Sequence, residues 1–122
     1  MTYVAGHKGL IVWQKSLDLA NKIYVISASF PKQERYGLAA QMRRAAVSIV
    51  SNIAEGSARR YRAEFVQFLY IARGSLAELE TQASIASMQG FLGVDCEIEA
   101  ELSEIGRLLT ALIRRLNNID AR

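Results

Sequence analysis

The last third of the chain carries an uninterrupted apolar seam: Ile98, Leu102, Ile105, Leu109, Leu112, Leu116 and Ile119 follow one another at alternating intervals of four and three residues. Only a helix brings residues so spaced onto one face, and a face that wide and regular must be covered by other helices. Asp95, Glu97 and Glu99 crowd the start of the seam, while Arg114 and Arg115 lie near its end. This is the polarity that the helix dipole favours. The spacing predicts a helix over 95–119.

The same period recurs three times upstream. Phe65, Phe68 or Leu69, Ala72, Leu76, Leu79, Ala83 and Ala86 form a long stripe that stops at Gly90, a natural left-handed terminator. Leu38, Met42, Ala46, Ile49 and Ile53 form another, ending at Gly56. Trp13, Leu17, Ala20, Tyr24 and Ser27 form the first, widened by Leu19, Ile23 and Ile26. Phe30-Pro31 ends it, because the residue before proline is pushed out of helical geometry. The predicted helices are thus 10–29, 34–55, 61–89 and 95–119, with residues 1–9 a flexible N-terminal segment. No alternating strand pattern competes, and the connections carry Pro or Gly. An all-α, antiparallel up-and-down four-helix bundle over 10–119 is the simplest way to bury all four stripes.

At 122 residues there is room for one such core and not for a second. No run of some 18 apolar residues is present to span a bilayer, and Met1 to Leu10 lacks the features of a signal peptide. A cytoplasmic protein without a membrane partner is expected. The single cysteine, Cys96, excludes an intrachain disulfide and reads as a semi-buried, inert thiol.

Catalytic parts are missing. His7 is the only histidine, and the Glu-x-x-His pairs of carboxylate-bridged metal sites do not occur. We therefore expect no enzyme, no cofactor, no catalytic residues and no metal ligands. A polar seam does run beside the second apolar stripe, with Gln41, Ser48, Asn52 and Glu55 at helical spacing and Ser75 and Glu78 facing it from the third helix. Either these line a ligand or metal pocket or they form a hydrogen-bonded network that fixes helix register, and the lack of a reactive group favours the network. Gly74, in mid-helix, costs about 1 kcal/mol relative to alanine, and close approach of another backbone would account for it.

Charge is segregated. Residues 32–73 hold eight basic side chains against three acidic ones, a net of +5, while residues 74–106 hold seven acidic side chains and no basic one. Within the basic stretch, Arg43-Arg44 and Arg59-Arg60-Tyr61-Arg62 combine guanidinium groups suited to phosphate with a tyrosine able to stack on a base. The plainer reading is ordinary solvated charge. The two stretches can also pair within one bundle or between neighbouring copies in a head-to-tail ring.

Further matches appear when the residues are taken in order: Val12-Trp13, Ile23-Tyr24, Phe30-Pro31, Tyr36-Gly37-Leu38, Arg43-Arg44-Ala45-Ala46, Asn52-Ile53-Ala54-Glu55-Gly56 and Gly74-Ser75-Leu76 with Glu78-Leu79. Over roughly residues 10 to 116 the chain resembles the bacterial four-helix bundle family known as 23S ribosomal RNA intervening-sequence proteins. The resemblance implies an antiparallel bundle whose relatives form homopentameric rings. A related branch, the accessory variability determinant proteins of diversity-generating retroelements, is a basic barrel that binds nucleic acid and a reverse transcriptase. By their guanidinium chemistry, Arg43, Arg44, Arg59, Arg60 and Arg62 are the expected contacts to RNA or DNA phosphates; the likeness makes the chain itself, with a reverse transcriptase or other protein, the expected protein partner. The chain departs from the strongly basic branch in its net charge of +3, its acidic 74–106 stretch and Gly9 ahead of the first helix.

Overall fold

A computed structural model describes residues 6–93 and 97–120, the last two as backbone only. Four helices carry the chain: α1 (Ile11–Ser27), α2 (Leu38–Ser57), α3 (Arg62–Met88) and α4 (Ile98–Asp120). There is no strand among the described residues. Each helix packs on its neighbours in sequence, α1 closes the ring against α4, and α2–α3 is the most extensive of the four interfaces. Lys15 opposite Glu104 and Lys22 opposite Glu101 set α1 and α4 antiparallel; Ser48 opposite Ser75 and Gly56 opposite Phe65 and Phe68 do the same for α2 and α3. The molecule is an up-and-down four-helix bundle. Its core is the four stripes: Leu19 and Ile23, then Met42, Ile49 and Ile53, then Leu69 and Leu79, then Ile105 and Leu109, all under 2% exposed.

The helix ends differ from the periodicity where local hydrogen bonding wins. α1 stops at Ser27 instead of residue 29 because Ser27 Oγ donates back to Ile23 O at 2.6 Å, and Ser29 and Phe30 donate to carbonyls three residues back. α2 begins at Leu38 instead of 34. Lys32–Glu34 forms a separate 3-10 turn, and the Glu34 carboxylate accepts from Leu38 N–H, capping the start of α2 from four residues away. α3 ends one residue short of expectation, and Gly90 follows it with φ +76°. α4 starts at Ile98, with Glu97 in a turn; Asp95 and Cys96 lie outside the described residues, as does the side chain of Ile119. Of the N-terminal segment expected to be flexible, Gly6–Gly9 forms a 3-10 turn, and His7 stands edge-on to Trp13 at 4.8 Å.

Two glycines differ from the sequence reading. Gly56 does not end its helix; it lets α3 come close, since a Cβ there would meet Phe68 Cβ at 2.7 Å and Phe65 O at 3.3 Å. Gly74, by contrast, has nothing within 4 Å of where its Cβ would stand, so no backbone approach within the bundle accounts for it.

The antiparallel order gives the bundle two distinct ends. At one, the α1–α2 and α3–α4 connections meet, and Phe30 packs on Phe91 with ring centres 5.4 Å apart. At the other lie the α2–α3 connection, the Gly6–Gly9 turn and the end of α4.

Candidate nucleic-acid interface

The five arginines expected to contact phosphate do not form one patch. Arg43 and Arg44 lie in the first half of α2, and Arg59 follows its end; at 1.5 Å per residue the two groups are about 22 Å apart along the axis. Their surroundings differ as well.

Arg43 is built into the bundle. Its Nε donates to Ser27 Oγ at 2.7 Å, its Nη2 to Tyr24 O at 3.2 Å, and the guanidinium lies over the Tyr24 ring at 4.7 Å. It therefore ties α2 to the carbonyl end of α1, where a cation is favourable. Arg44 is exposed and opens instead onto the α2–α3 groove, beside Gln41, Ala45, Ser48, Ser75, Glu78 and Gln82.

That groove contains the predicted polar seam, and part of it is linked. The Ser48 and Ser75 hydroxyls are 2.8 Å apart, and Asn52 Nδ2 donates to Ser48 O at 2.8 Å and to Ser48 Oγ at 3.1 Å. Ser75 is 8% exposed, so its hydroxyl needs this bond to offset its burial. Gln41 and Glu78 line the same groove. Glu55, at the end of the same face of α2, is instead committed to Arg59, from whose Nη2 it accepts at 2.9 Å. Gln82, absent from the sequence reading, belongs with the seam: its Oε1 is buried and unpartnered. Its spacing from Ser75 and Glu78 was the available signal.

At the α2–α3 connection, Arg59 is braced by Glu55 and more distantly by Glu64, with its guanidinium 4.7 Å from the Phe68 ring. Arg60 lies 5.5 Å from the ring of Tyr61, which is 60% exposed. Arg62, the first residue of α3, is exposed at the same corner. The topology adds cations that sequence order hides. Lys8 in the N-terminal turn, and Arg114 and Arg115 on the closing turns of α4, belong to this half of the bundle, and all three are exposed. An antiparallel bundle therefore gathers basic groups from three separate stretches at one end.

Two glutamates of the acidic stretch are answered from α1. Glu104 pairs with Lys15 at 2.6 Å and Glu101 with Lys22, both across the α1–α4 seam. The hydrogen bonds to these carboxylates hold the Lys15 and Lys22 ammonium groups above their ordinary pKa, and the Lys15 hydrogen bond holds Glu104 below its own. These lysines come from α1, so the basic 32–73 stretch is not their source.

No group of three or more histidine, cysteine, aspartate or glutamate side chains is placed to hold a metal among the described residues. None of the described helices is long and apolar enough to cross a membrane.

The fold and sequence have known counterparts. A crystal structure of a protein of unknown function from the S23 ribosomal protein family of Bacteroides thetaiotaomicron is similar, with 26% identity and a TM-score of 0.78, over 85% of this chain and 96% of that one. No curated protein matches the chain. The sequence matches the 23S rRNA-intervening sequence protein family over residues 8–111. Since that match takes in nearly all of the bundle, the chain belongs to the 23S rRNA-intervening sequence protein family.

Proposed function

We propose that this protein is a non-catalytic, homo-oligomeric accessory protein that binds RNA or DNA phosphates through the basic end of its bundle. The observation that carries this reading is the corner formed by Arg59, Arg60, Tyr61 and Arg62, where guanidinium groups lie against aromatic rings and an exposed tyrosine stands among them. Guanidinium–phosphate pairing supplies affinity, and a ring beside it offers a base a surface on which to stack. Lys8, Arg114 and Arg115 extend the same field, and Arg44 is a second, separate contact along α2. The family's name supports an RNA context for this chain.

Binding through phosphates releases counterions, so the logarithm of the affinity falls linearly with that of salt, by about 0.7 per phosphate neutralised on a single strand and about 0.9 on a DNA duplex. Affinity for a ribosomal RNA fragment is therefore expected to drop steeply between low and physiological salt. Arg59→Ala with Arg60→Ala should weaken it and flatten the slope by about two contacts. A flat salt response, or no binding at low salt, refutes the proposal.

A second reading, a self-assembling scaffold without nucleic acid, is favoured by a different feature. Opposite the core stripe of α3, Tyr70, Ile71, Gly74, Ala77, Ile85 and Met88 share an exposed face interrupted by Gln67 and Thr81, with Met88 85% accessible. Exposed apolar side chains gathered on one helix face mark a surface that another protein covers, and an exposed mid-helix glycine fits close packing against another copy. This surface also serves the homo-oligomer in the first reading, for which a pentameric ring is the expected form. Ile71→Asp should dissociate the assembly in light scattering while the helical signal is kept. A monomer at every concentration and salt refutes self-association.

A further inference from the structure

The corner where α1 turns towards α2 encloses a cavity of about 280 Å3 that the readings above leave unused. Phe30 and Ala39 give it a buried apolar wall, beside Pro31. Its charged lining is Lys32, Arg35 and Arg43, with no carboxylate among the residues that form it. The nearest acid in sequence, Glu34, is committed to the Leu38 N–H at the start of α2. The glutamates of α4 face Lys22, which lies nearly opposite Tyr24 around α1, at about 100° per residue.

Cations beside a helix C-terminus ordinarily serve the helix, by offsetting its dipole. Here most of that need is already met. Ile23 O accepts from Ser27 Oγ, and Tyr24 O from Ala28 N and Arg43 Nη2. Ile26 O accepts from Ser29 N and Oγ, and Ser27 O from Phe30 N. Lys32 and Arg35 are surplus to this cap, and neither enters an ion pair among the described residues. Arg43 is held by Ser27 and Tyr24 through Nε and Nη2, which leaves its Nη1 donors for a ligand. A guanidinium already fixed by its own protein loses little freedom on binding.

We propose that this pocket binds a terminal phosphate, the monoester group at the end of a nucleic acid strand or on a free nucleotide. A monoester carries about −1.5 to −2 charge at neutral pH and three strong acceptor oxygens. That suits three cations without a counter-charge better than a singly charged backbone diester does. The cavity lies just below the range of about 300–1,000 Å3 typical of drug-sized ligands, which leaves room for the phosphate and part of the sugar attached to it. The site is at the opposite end of the bundle from Arg59 and Arg60, so it stands or falls separately from the interface proposed there.

The test is calorimetry at fixed ionic strength with a short RNA bearing a 5′-phosphate, the same RNA with a 5′-hydroxyl, and adenosine monophosphate. The 5′-phosphorylated RNA is expected to bind at least tenfold more tightly than the hydroxyl form. Lys32→Gln with Arg35→Gln, both exposed and in the connection, should erase that preference, while Arg59→Ala with Arg60→Ala should leave it. Adenosine monophosphate binding that is lost in the Lys32 and Arg35 variant, without a preference between the RNAs, also supports the pocket and assigns it to free nucleotides. Equal affinity for the two RNAs together with no binding of adenosine monophosphate overturns the proposal. So does any phosphate preference that survives loss of Lys32 and Arg35.

Discussion

Replacing Gly56 with alanine adds one methyl group where α2 and α3 have no room for it. The new Cβ would stand 2.7 Å from Phe68 Cβ, 3.0 Å from Phe65 Cδ1 and 3.3 Å from Phe65 O. Carbon atoms rest at about 3.5–4.0 Å, so the tightest contact must open by about 1 Å. Phe68 Cβ and Phe65 O are fixed to the α3 backbone, which means that the helix itself has to move. Over-packing of this kind costs about 1–3 kcal/mol. The opposing gain, the better helix propensity of alanine, is at most about 1 kcal/mol and is diluted next to the end of α2. A net loss of about 1–2 kcal/mol follows, which at this chain length lowers Tm by roughly 4–10 °C. The control is Gly74→Ala, where nothing of the same chain lies within 4 Å; at protein concentrations low enough to leave the chain unassembled only the propensity gain remains, and stability should rise by up to about 1 kcal/mol. Both are measured by thermal and urea unfolding at one protein concentration, since self-association would shift Tm with concentration. A Gly56→Ala protein as stable as the parent would refute the close approach of α2 and α3 on which the calculation rests.

Other perturbations separate the arginines and the seams. Arg43→Ala should cost about 1–2 kcal/mol in urea unfolding through loss of its bonds to Ser27 and Tyr24, whereas Arg60→Ala should stay within about 0.5 kcal/mol; equal effects would contradict their different settings. Leu79→Ala, at a fully buried core position, should cost about 2–5 kcal/mol by the same measurement. The Lys15–Glu104 pair predicts a pH dependence. Because Glu104 is held below its ordinary 4.5, its contribution is present above that value and is lost as pH falls through the lowered pKa. Lys15, held above its ordinary 10.5, contributes below that value and loses its contribution as pH rises through the raised pKa. The stability difference between the parent and Glu104→Gln should therefore vanish at both extremes, and a difference that persists at pH 2 would contradict the assignment.

The four stripes were legible because burial in a bundle writes itself directly into a 3.6-residue period. Leu102, Ile105, Leu109 and Leu112 are buried where the spacing of α4 puts them. Ser48, Asn52 and Ser75 were readable for the same reason, as polar residues at core-flanking positions need partners. The start of α2 was not, since Glu34 acts from outside the helix and leaves no periodic mark. The close approach expected at Gly74 occurs at Gly56 instead, because the period locates a residue on a helix but not the distance to the next helix. The setting of Arg43 depends on a carbonyl of α1 and a hydroxyl 16 residues away. Lys8, Arg114 and Arg115 join the basic end only through chain reversal.

The seams between helices are unequal, and that inequality orders the events of folding. α2 meets α3 across the widest interface, through a glycine contact and a half-buried hydroxyl pair, and only a short connection separates them. The α1–α4 seam joins opposite ends of the chain and is bridged at its rim by exposed lysine–glutamate pairs. Closing a short loop costs less entropy than closing a long one, so the α2–α3 hairpin is the natural nucleus and the outer helices dock onto it. Amide hydrogens of α2 and α3 should accordingly exchange last, and those along the α1–α4 rim first.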